Sequence, residues 1–173
     1  MTSKEYSVRL SYQTAYSICT QPHPLPCPAL GSNSQIFGAG HGLHNISDTV
    51  GPSIISLGLY YLHRLRHSLH ARQCDWSVGN AFLVAIIVAH KVSHDCTYSN
   101  RTWAAKSQIP LPVLNRLELD FLKFLDWNIV VDSQSWDMWT VTLGQIQGWL
   151  VEFDRIREMT ELCAASRRLK ASL

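Results

Sequence analysis

The nine residues 81–89 constrain the fold most, because they form an unbroken apolar run, Ala-Phe-Leu-Val-Ala-Ile-Ile-Val-Ala. A helix that is apolar on every face has to be buried on every side. The run therefore predicts a central helix, with Asp75 at its N-cap, around which other helices wrap. The alternative is a buried strand of a parallel sheet, but no alternation of strand and helix patterns is present to supply neighbouring strands.

From residue 52 onward, apolar residues recur every three or four positions, which is the spacing of amphipathic helices. A short helix is predicted to begin at Ser99 or Asn100, and Pro110 or Pro112 opens a further one. The sequence therefore indicates an all-α domain. Its apolar stripes are Ile55, Leu59, Leu62, Leu65 and Leu69, then Leu114, Leu117, Phe121 and Leu125, then Trp136, Trp139, Leu143, Ile146, Leu150 and Phe153.

The first 51 residues differ in composition from the remainder. The segment 22–51 contains four prolines and five glycines, and prolines interrupt helices and strands alike. We expect residues 1–51 to be an irregular, disordered lead-in, with room for one weak helix within residues 3–20. Residues 52–150 are predicted to form the helical domain, and residues 151–173 a C-terminal helix and basic tail.

Charge and cysteine content argue against several classes of protein. The net charge is +2 and the isoelectric point about 8.3, whereas nucleic-acid-binding domains usually exceed about 9. Five cysteines without a CxxC motif fit reduced thiols better than disulfides or zinc. No apolar run approaches the ~20 residues of a membrane span. We expect a soluble intracellular protein of the nucleus, the cytoplasm or both, with neither nucleic acid nor membrane as a partner.

Residues that could carry chemistry are scattered. No phosphate-binding loop, zinc-protease motif or nucleophile elbow is present. His90 and His94 are four residues apart, but a metal site needs three or four convergent ligands. Cys96 near His94 lacks a third group that would orient a catalytic pair. We therefore expect no catalytic residues, no metal, no cofactor and no small-molecule substrate.

Five segments together resemble the cyclin box, and specifically that of the fungal phosphate-pathway (Pho-type) cyclins. They cover about half of the chain and occur in the order and at the separations of that family. The segments are LYYLHRL at 59–65, FLVAIIVAHK at 82–91, DCTYSNRTWA at 95–104, IPLPVLNRLE at 109–118 and FLKFLDWN at 121–128.

The resemblance implies a five-helix bundle wrapped around its third helix, and a regulatory role. Cyclins of this family press on the regulatory helix of a cyclin-dependent kinase and hold its glutamate against the ATP-binding lysine. A family lysine at the end of the central helix and a glutamate on the fifth helix hydrogen-bond the kinase segment that leads into the regulatory helix. The matching kinase-binding residues here are Lys91 and Glu118.

The chain also departs from the family pattern. Val-Ser-His-Asp at 92–95 replaces the usual Phe-Leu-Asp-Asp, and the helix that opens the box has no clear counterpart in the lead-in, although residues 3–20 could supply it. Without that helix the central helix would lose part of its cover, and we expect a marginally stable or truncated product. A degenerate cyclin-fold binding module without kinase activation is therefore the alternative, and a small enzyme the third, for which no constellation is found.

Overall fold

The chain from residue 50 onward is almost entirely helical. The computed structural model describes residues 11, 13–15, 18, 50–67 and 76–171. Its helices are α1 (Pro52–His67), α2 (Val78–Ser93), α3 (Asn100–Ser107), α4 (Leu111–Phe124) and α5 (Ser133–Ala171). Within these described ranges there is no strand, so the predicted all-α fold class is confirmed.

The centre of the fold is α2, as the apolar run predicts. Thirteen consecutive residues, from Val78 to His90, are buried. The helix begins directly after a serine N-cap, since Ser77 Oγ accepts a hydrogen bond from Asn80 N at 3.1 Å. The prediction of Asp75 as the cap is wrong by two residues, because Ser77 is the residue that caps the helix. Only the last turn of α2 reaches the surface, which places Lys91 at the edge of the core.

Helix α1 packs on α2 along its predicted stripe. Leu59, Leu62 and Leu65 are buried, and Leu69 lies outside the described residues. Gly58 lies where the two helices are closest: a Cβ there would stand 2.9 Å from Ile86 Cδ1 and 3.3 Å from the backbone of α2. Small residues at a helix crossing allow such an approach, because no side chain separates the two backbones.

Part of the lead-in contributes to the same core. Residues 11, 13–15 and 18 are helical, and Ala15 and Ile18 are buried in the cluster that surrounds α2. They belong to the stretch 3–20 for which the sequence allows one helix, so the irregular lead-in does not extend to them. Apolar side chains at 15 and 18 account for this, because a three-residue spacing puts both on one helix face.

The C-terminal part of the bundle is α4, a tight loop and α5. Trp139 attaches α5 to α1: its Nε1 donates to the carbonyl of Ser56 at 3.0 Å and its ring lies 5.7 Å from that of Tyr60. Trp139 and Leu143 of the predicted stripe are buried, and Trp136 and Ile146 are partly so. The helix continues across residue 150, where the sequence places a domain boundary. No helix among the described residues has the length and apolarity needed to cross a membrane.

Candidate functional site

The exposed end of α2 meets the beginning of α3 and the middle of α4. Residues 94–99 leave α2 in extended and bent conformations and lead directly into α3. Ser99 caps α3, since its Oγ accepts from the Thr102 backbone N at 3.4 Å. Because the connection is short, the first residue of α3, Asn100, returns to the side of Lys91.

Four polar side chains from these three helices form one hydrogen-bonded group, which we call the polar cluster: Lys91, Asn100, Asn115 and Glu118. Lys91 Nζ lies 2.6 Å from Glu118 Oε1 and donates to Asn100 Oδ1 at 2.7 Å. Asn100 Nδ2 donates to Glu118 Oε2 at 2.5 Å and to Asn115 Oδ1 at 2.8 Å. The cluster therefore links α2, α3 and α4 at the surface.

The charged pair of the cluster is partly open to solvent. The Lys91 side chain is 32% exposed and that of Glu118 is 13% exposed. An ammonium carries three hydrogens and a carboxylate about four acceptor positions, and the described residues use two of each. An ion pair at such exposure adds only ~0–1 kcal/mol to stability. The remaining donor and acceptors can hydrogen-bond a peptide backbone presented to this surface.

The structure thus brings together the two residues that the sequence singles out, Lys91 and Glu118. Sequence reasoning assigned no role in the site to Asn100 and Asn115. Asn115 precedes Glu118 by three residues on α4, a spacing that places both on one face. Asn100 could not be placed in the same way, because its contact depends on how the α2–α3 connection folds back.

A group of aromatic and histidine rings joins the end of α2 to α3. His90 is buried, and its ring lies 4.8 Å from His94, 5.2 Å from Tyr98 and 5.6 Å from Trp103. Tyr98 and Trp103 are also in contact, with ring centroids 6.0 Å apart. Burial, and to a lesser degree the neighbouring His94, lowers the pKa of His90 from its ordinary value of 6.5. His90 is therefore neutral at pH 7 and serves as a packing residue.

We expect this histidine to make the folded state sensitive to acid. The pKa of His90 is lower folded than unfolded, so its contribution to the free energy of unfolding is complete above about pH 6.5 and is lost as the pH falls through the folded pKa. The midpoint temperature of unfolding should decrease as the pH is lowered from 7.5 to 5. The midpoint of His90→Phe, which keeps a ring at that position, should decrease less. Thermal unfolding of both proteins across this range is the measurement. Equal slopes for the two proteins would contradict the prediction.

Other candidate residues do not converge. Asp120 forms an ion pair with Arg116 at 2.8 Å on the outer face of α4. Cys96 is an exposed free thiol. His63 contacts Trp139, with ring centroids 5.2 Å apart. In the part of the chain that the structure describes, no three His, Cys, Asp or Glu side chains are grouped so that they could hold a metal ion.

Exposed apolar side chains accompany the polar cluster. Val92 follows Lys91, Leu119 follows Glu118, and all four of Val92, Tyr98, Leu119 and Trp127 are exposed, the last by 59%. Trp127 follows the end of α4, nine residues after Glu118, and its backbone N bonds to Leu122 O at 2.9 Å. Exposed aromatic and aliphatic groups next to polar ones are typical of surfaces that bind other proteins.

A family model and two known proteins match part of this chain. The family model for cyclins matches residues 49–129. Cyclin-P3-1 of rice (Oryza sativa subsp. japonica) is 30% identical over 92 residues, which are 53% of this chain and 39% of the rice protein. The G1/S-specific cyclin pas1 of Schizosaccharomyces pombe is 29% identical over 93 residues, which are 51% of this chain and 23% of the yeast protein. No solved structure shows a significant match.

The matched segment contains helices α1 to α4 and all four residues of the polar cluster. The match spans well under half of either relative. The segment that the family model matches contains α2 and the three other helices that meet at its exposed end or pack along it. Residues 49–129 are therefore similar in sequence to the cyclin domain.

Proposed function

We propose that this chain is a cyclin-like regulatory subunit that binds and activates a cyclin-dependent protein kinase. We further propose that it belongs with the Pho-type cyclins whose segments it resembles, that it acts in the nucleus, the cytoplasm or both, and that it has no catalytic activity of its own. The observation that carries the proposal is the contact of Lys91 with Glu118, at 2.6 Å, on a partly exposed edge of the helical bundle. Two residues 27 positions apart that were selected by family resemblance are neighbours at the surface.

The proposed contact uses the hydrogen-bonding capacity that the cluster leaves open. The third N–H of Lys91 is suited to a backbone carbonyl of the kinase, and the open acceptor positions of Glu118 are suited to backbone N–H groups. Hydrogen bonds to charged groups contribute ~1.5–3 kcal/mol each. Two of them fix the register of a bound segment, while apolar neighbours such as Val92 and Leu119 supply buried area.

Activation requires more than attachment. To convert a kinase from mostly inactive to mostly active, a regulator has to bind the active state about 10⁴-fold more tightly than the inactive one. Interfaces of signalling assemblies that achieve this often bury ~2,000 Å² or more. The exposed apolar side chains of Val92, Leu119 and Trp127 would supply part of that area.

The test is capture of a kinase by the tagged chain from an extract of its own cells. The wild type should retain a cyclin-dependent kinase and raise its activity, and Lys91→Ala/Glu118→Ala should retain less than about a tenth as much, since each lost charged hydrogen bond costs ~1.5–3 kcal/mol. The matched control is Arg116→Ala/Asp120→Ala, which removes another ion pair of α4. It should behave as the wild type.

Two results would redirect the proposal. A folded wild-type chain that retains no kinase would rule out the regulatory function while leaving the fold unaffected. A retained kinase whose activity does not rise would instead favour the alternative, a cyclin-fold binding module without activation.

A further inference from the structure

Asn100 occupies the centre of the polar cluster. It is the one residue of the cluster that contacts all three others: it accepts from Lys91 at 2.7 Å, and it donates to Glu118 at 2.5 Å and to Asn115 at 2.8 Å. A carboxamide has two N–H donors and one carbonyl acceptor. Both donors and the acceptor of Asn100 are therefore engaged within the cluster.

The backbone beneath Asn100 is well anchored. Asn100 is the first residue of α3, and Trp103, three residues later, is completely buried against the core. Trp103 N also bonds to Ser99 O at 3.1 Å, which closes the first turn of the helix. By contrast, Lys91 and Glu118 reach the cluster on long side chains with several rotatable bonds, so their own helices fix their end groups only loosely.

The chemistry of the cluster requires a group that accepts and donates at once. The carbonyl of Asn100 faces the ammonium of Lys91, and its NH₂ faces the carboxylate of Glu118. A reversed carboxamide would place donor against donor and acceptor against acceptor, so only one orientation satisfies both partners. Aspartate, which has the same shape, can serve the lysine but repels the glutamate.

We propose that Asn100 is a positioning residue, which holds the Lys91 ammonium and the Glu118 carboxylate in one fixed relative orientation. In this arrangement the third N–H of Lys91 and the open acceptors of Glu118 are directed to a partner before it binds. Preorganised groups lose less conformational freedom on binding, so the same hydrogen bonds yield a higher affinity. The partner is a polypeptide that presents backbone N–H and C=O groups, and its identity as a kinase rests on the proposed function.

The first measurement needs no partner. The ¹⁵N signal of the Lys91 ammonium should be sharp in the wild-type chain, because two hydrogen bonds slow its exchange with water, and it should broaden or vanish in Asn100→Ala and Asn100→Asp. Ser99→Ala is the matched control: it weakens the start of the same helix but leaves the carboxamide in place, so it should keep the signal. An unchanged Lys91 signal in Asn100→Ala would overturn the proposal.

The second measurement uses the purified kinase that the wild-type chain retains. Asn100→Ala should weaken binding roughly tenfold, and Asn100→Asp more, whereas Ser99→Ala should change it less than about threefold. In the wild-type chain, Lys91→Ala should weaken kinase binding more than about tenfold. In the Asn100→Ala chain, the same substitution should weaken it less than threefold. A merely structural role would make the two penalties multiply, and that result would overturn the proposal. If the wild type binds no kinase, the proposed function fails and the Lys91 signal alone decides the role of Asn100.

Discussion

Exchanging the two charges of the cluster, as Lys91→Glu with Glu118→Lys, should leave the chain folded and reduce kinase binding by at least about 100-fold. Within the chain the ion pair can form again with reversed polarity, because the 2.6 Å contact of Lys91 with Glu118 shows that the two positions are close enough for a lysine and a glutamate to meet. The Asn100 carboxamide can turn by half a rotation and again donate to a carboxylate and accept from an ammonium. The folded state should therefore keep its cluster.

The kinase cannot adjust in the same way. A glutamate at 91 can only accept where a backbone carbonyl waits for a donor, and a lysine at 118 can only donate where N–H groups wait for an acceptor. Two hydrogen bonds to charged groups are lost, and at ~1.5–3 kcal/mol each they amount to ~3 kcal/mol or more, which is more than about 100-fold in affinity. Buried donors and acceptors left without partners add further cost.

Calorimetric titration of the kinase with the exchanged variant measures this loss, and thermal unfolding of the free variant verifies its fold. The matched control exchanges Arg116 and Asp120, the solvent-exposed pair on the same helix. That control should bind within about threefold of the wild type, because exposed ion pairs contribute little. Wild-type affinity in the Lys91/Glu118 exchange would mean that the pair only joins α2 to α4 and has no part in binding.

The central helix and the pair of charged residues could both be predicted from the sequence, for different reasons. Residues 81–89 are apolar at every position, and burial on all sides is the only stable outcome for such a helix. Their structure depends on local pattern alone, and each of them is buried. Lys91 and Glu118 came from family resemblance, since a lysine and a glutamate at these spacings are otherwise ordinary surface residues.

Features that depend on contacts distant in the sequence could not be predicted. Tyr61 is completely buried although it lies off the predicted stripe of α1, because its hydroxyl donates to Ile129 O at 2.8 Å, 68 residues away. Burial raises the pKa of this hydroxyl to about 12. Arg64 binds the same loop, which connects α4 to α5, by donating to Asn128 O at 2.7 Å. No periodicity within α1 contains information about that loop.

The loop itself shows the same limit. Asp126 and Trp127 have φ angles of 52° and 57°, in the left-handed region that residues with a Cβ seldom adopt. Aspartate adopts this region more often than most residues, but nothing in FLDWN suggests two successive residues there. The conformation lets the backbone N–H groups of both residues bond to carbonyls in the last turn of α4. Tyr61 and Arg64 hydrogen-bond the two residues that follow, Ile129 and Asn128. These tertiary contacts help to stabilise a backbone conformation that local propensity does not favour.

Replacing Gly58 by leucine should have the largest effect on stability, lowering the free energy of unfolding by about 3 kcal/mol or more. Even a Cβ would lie 2.9 Å from Ile86 Cδ1 and 3.3 Å from two backbone atoms of α2. The methyl end of Ile86 can move aside, but the backbone cannot, because α2 is buried from Val78 to His90. The leucine would therefore force α1 away from α2 and open the core that both share.

The same substitution at Gly144 is the matched control, since it adds an identical side chain to a glycine inside a helix. No atom lies within 4 Å of a Cβ at that position on α5. A glycine in a helix interior costs up to ~1 kcal/mol relative to a good helix former, so Gly144→Leu should leave the chain as stable or slightly more stable. In chemical denaturation, Gly58→Leu should therefore lower the unfolding midpoint, whereas Gly144→Leu should leave it unchanged or raise it slightly.

This pair of variants also tests the link between the core and the proposed binding surface. Lys91 lies at the end of α2, so loss of the packing of α1 on α2 should hold Lys91 less firmly beside Glu118 on α4. Gly58→Ala crowds the crossing less and is expected to cost about 1–3 kcal/mol of stability. It should leave a mostly folded chain that binds the kinase more weakly, whereas Gly144→Ala should keep both the stability and the kinase binding of the wild type. A Gly58→Leu chain as stable as the wild type would show that α1 and α2 do not cross at this glycine, and that α2 is not fixed in place by α1.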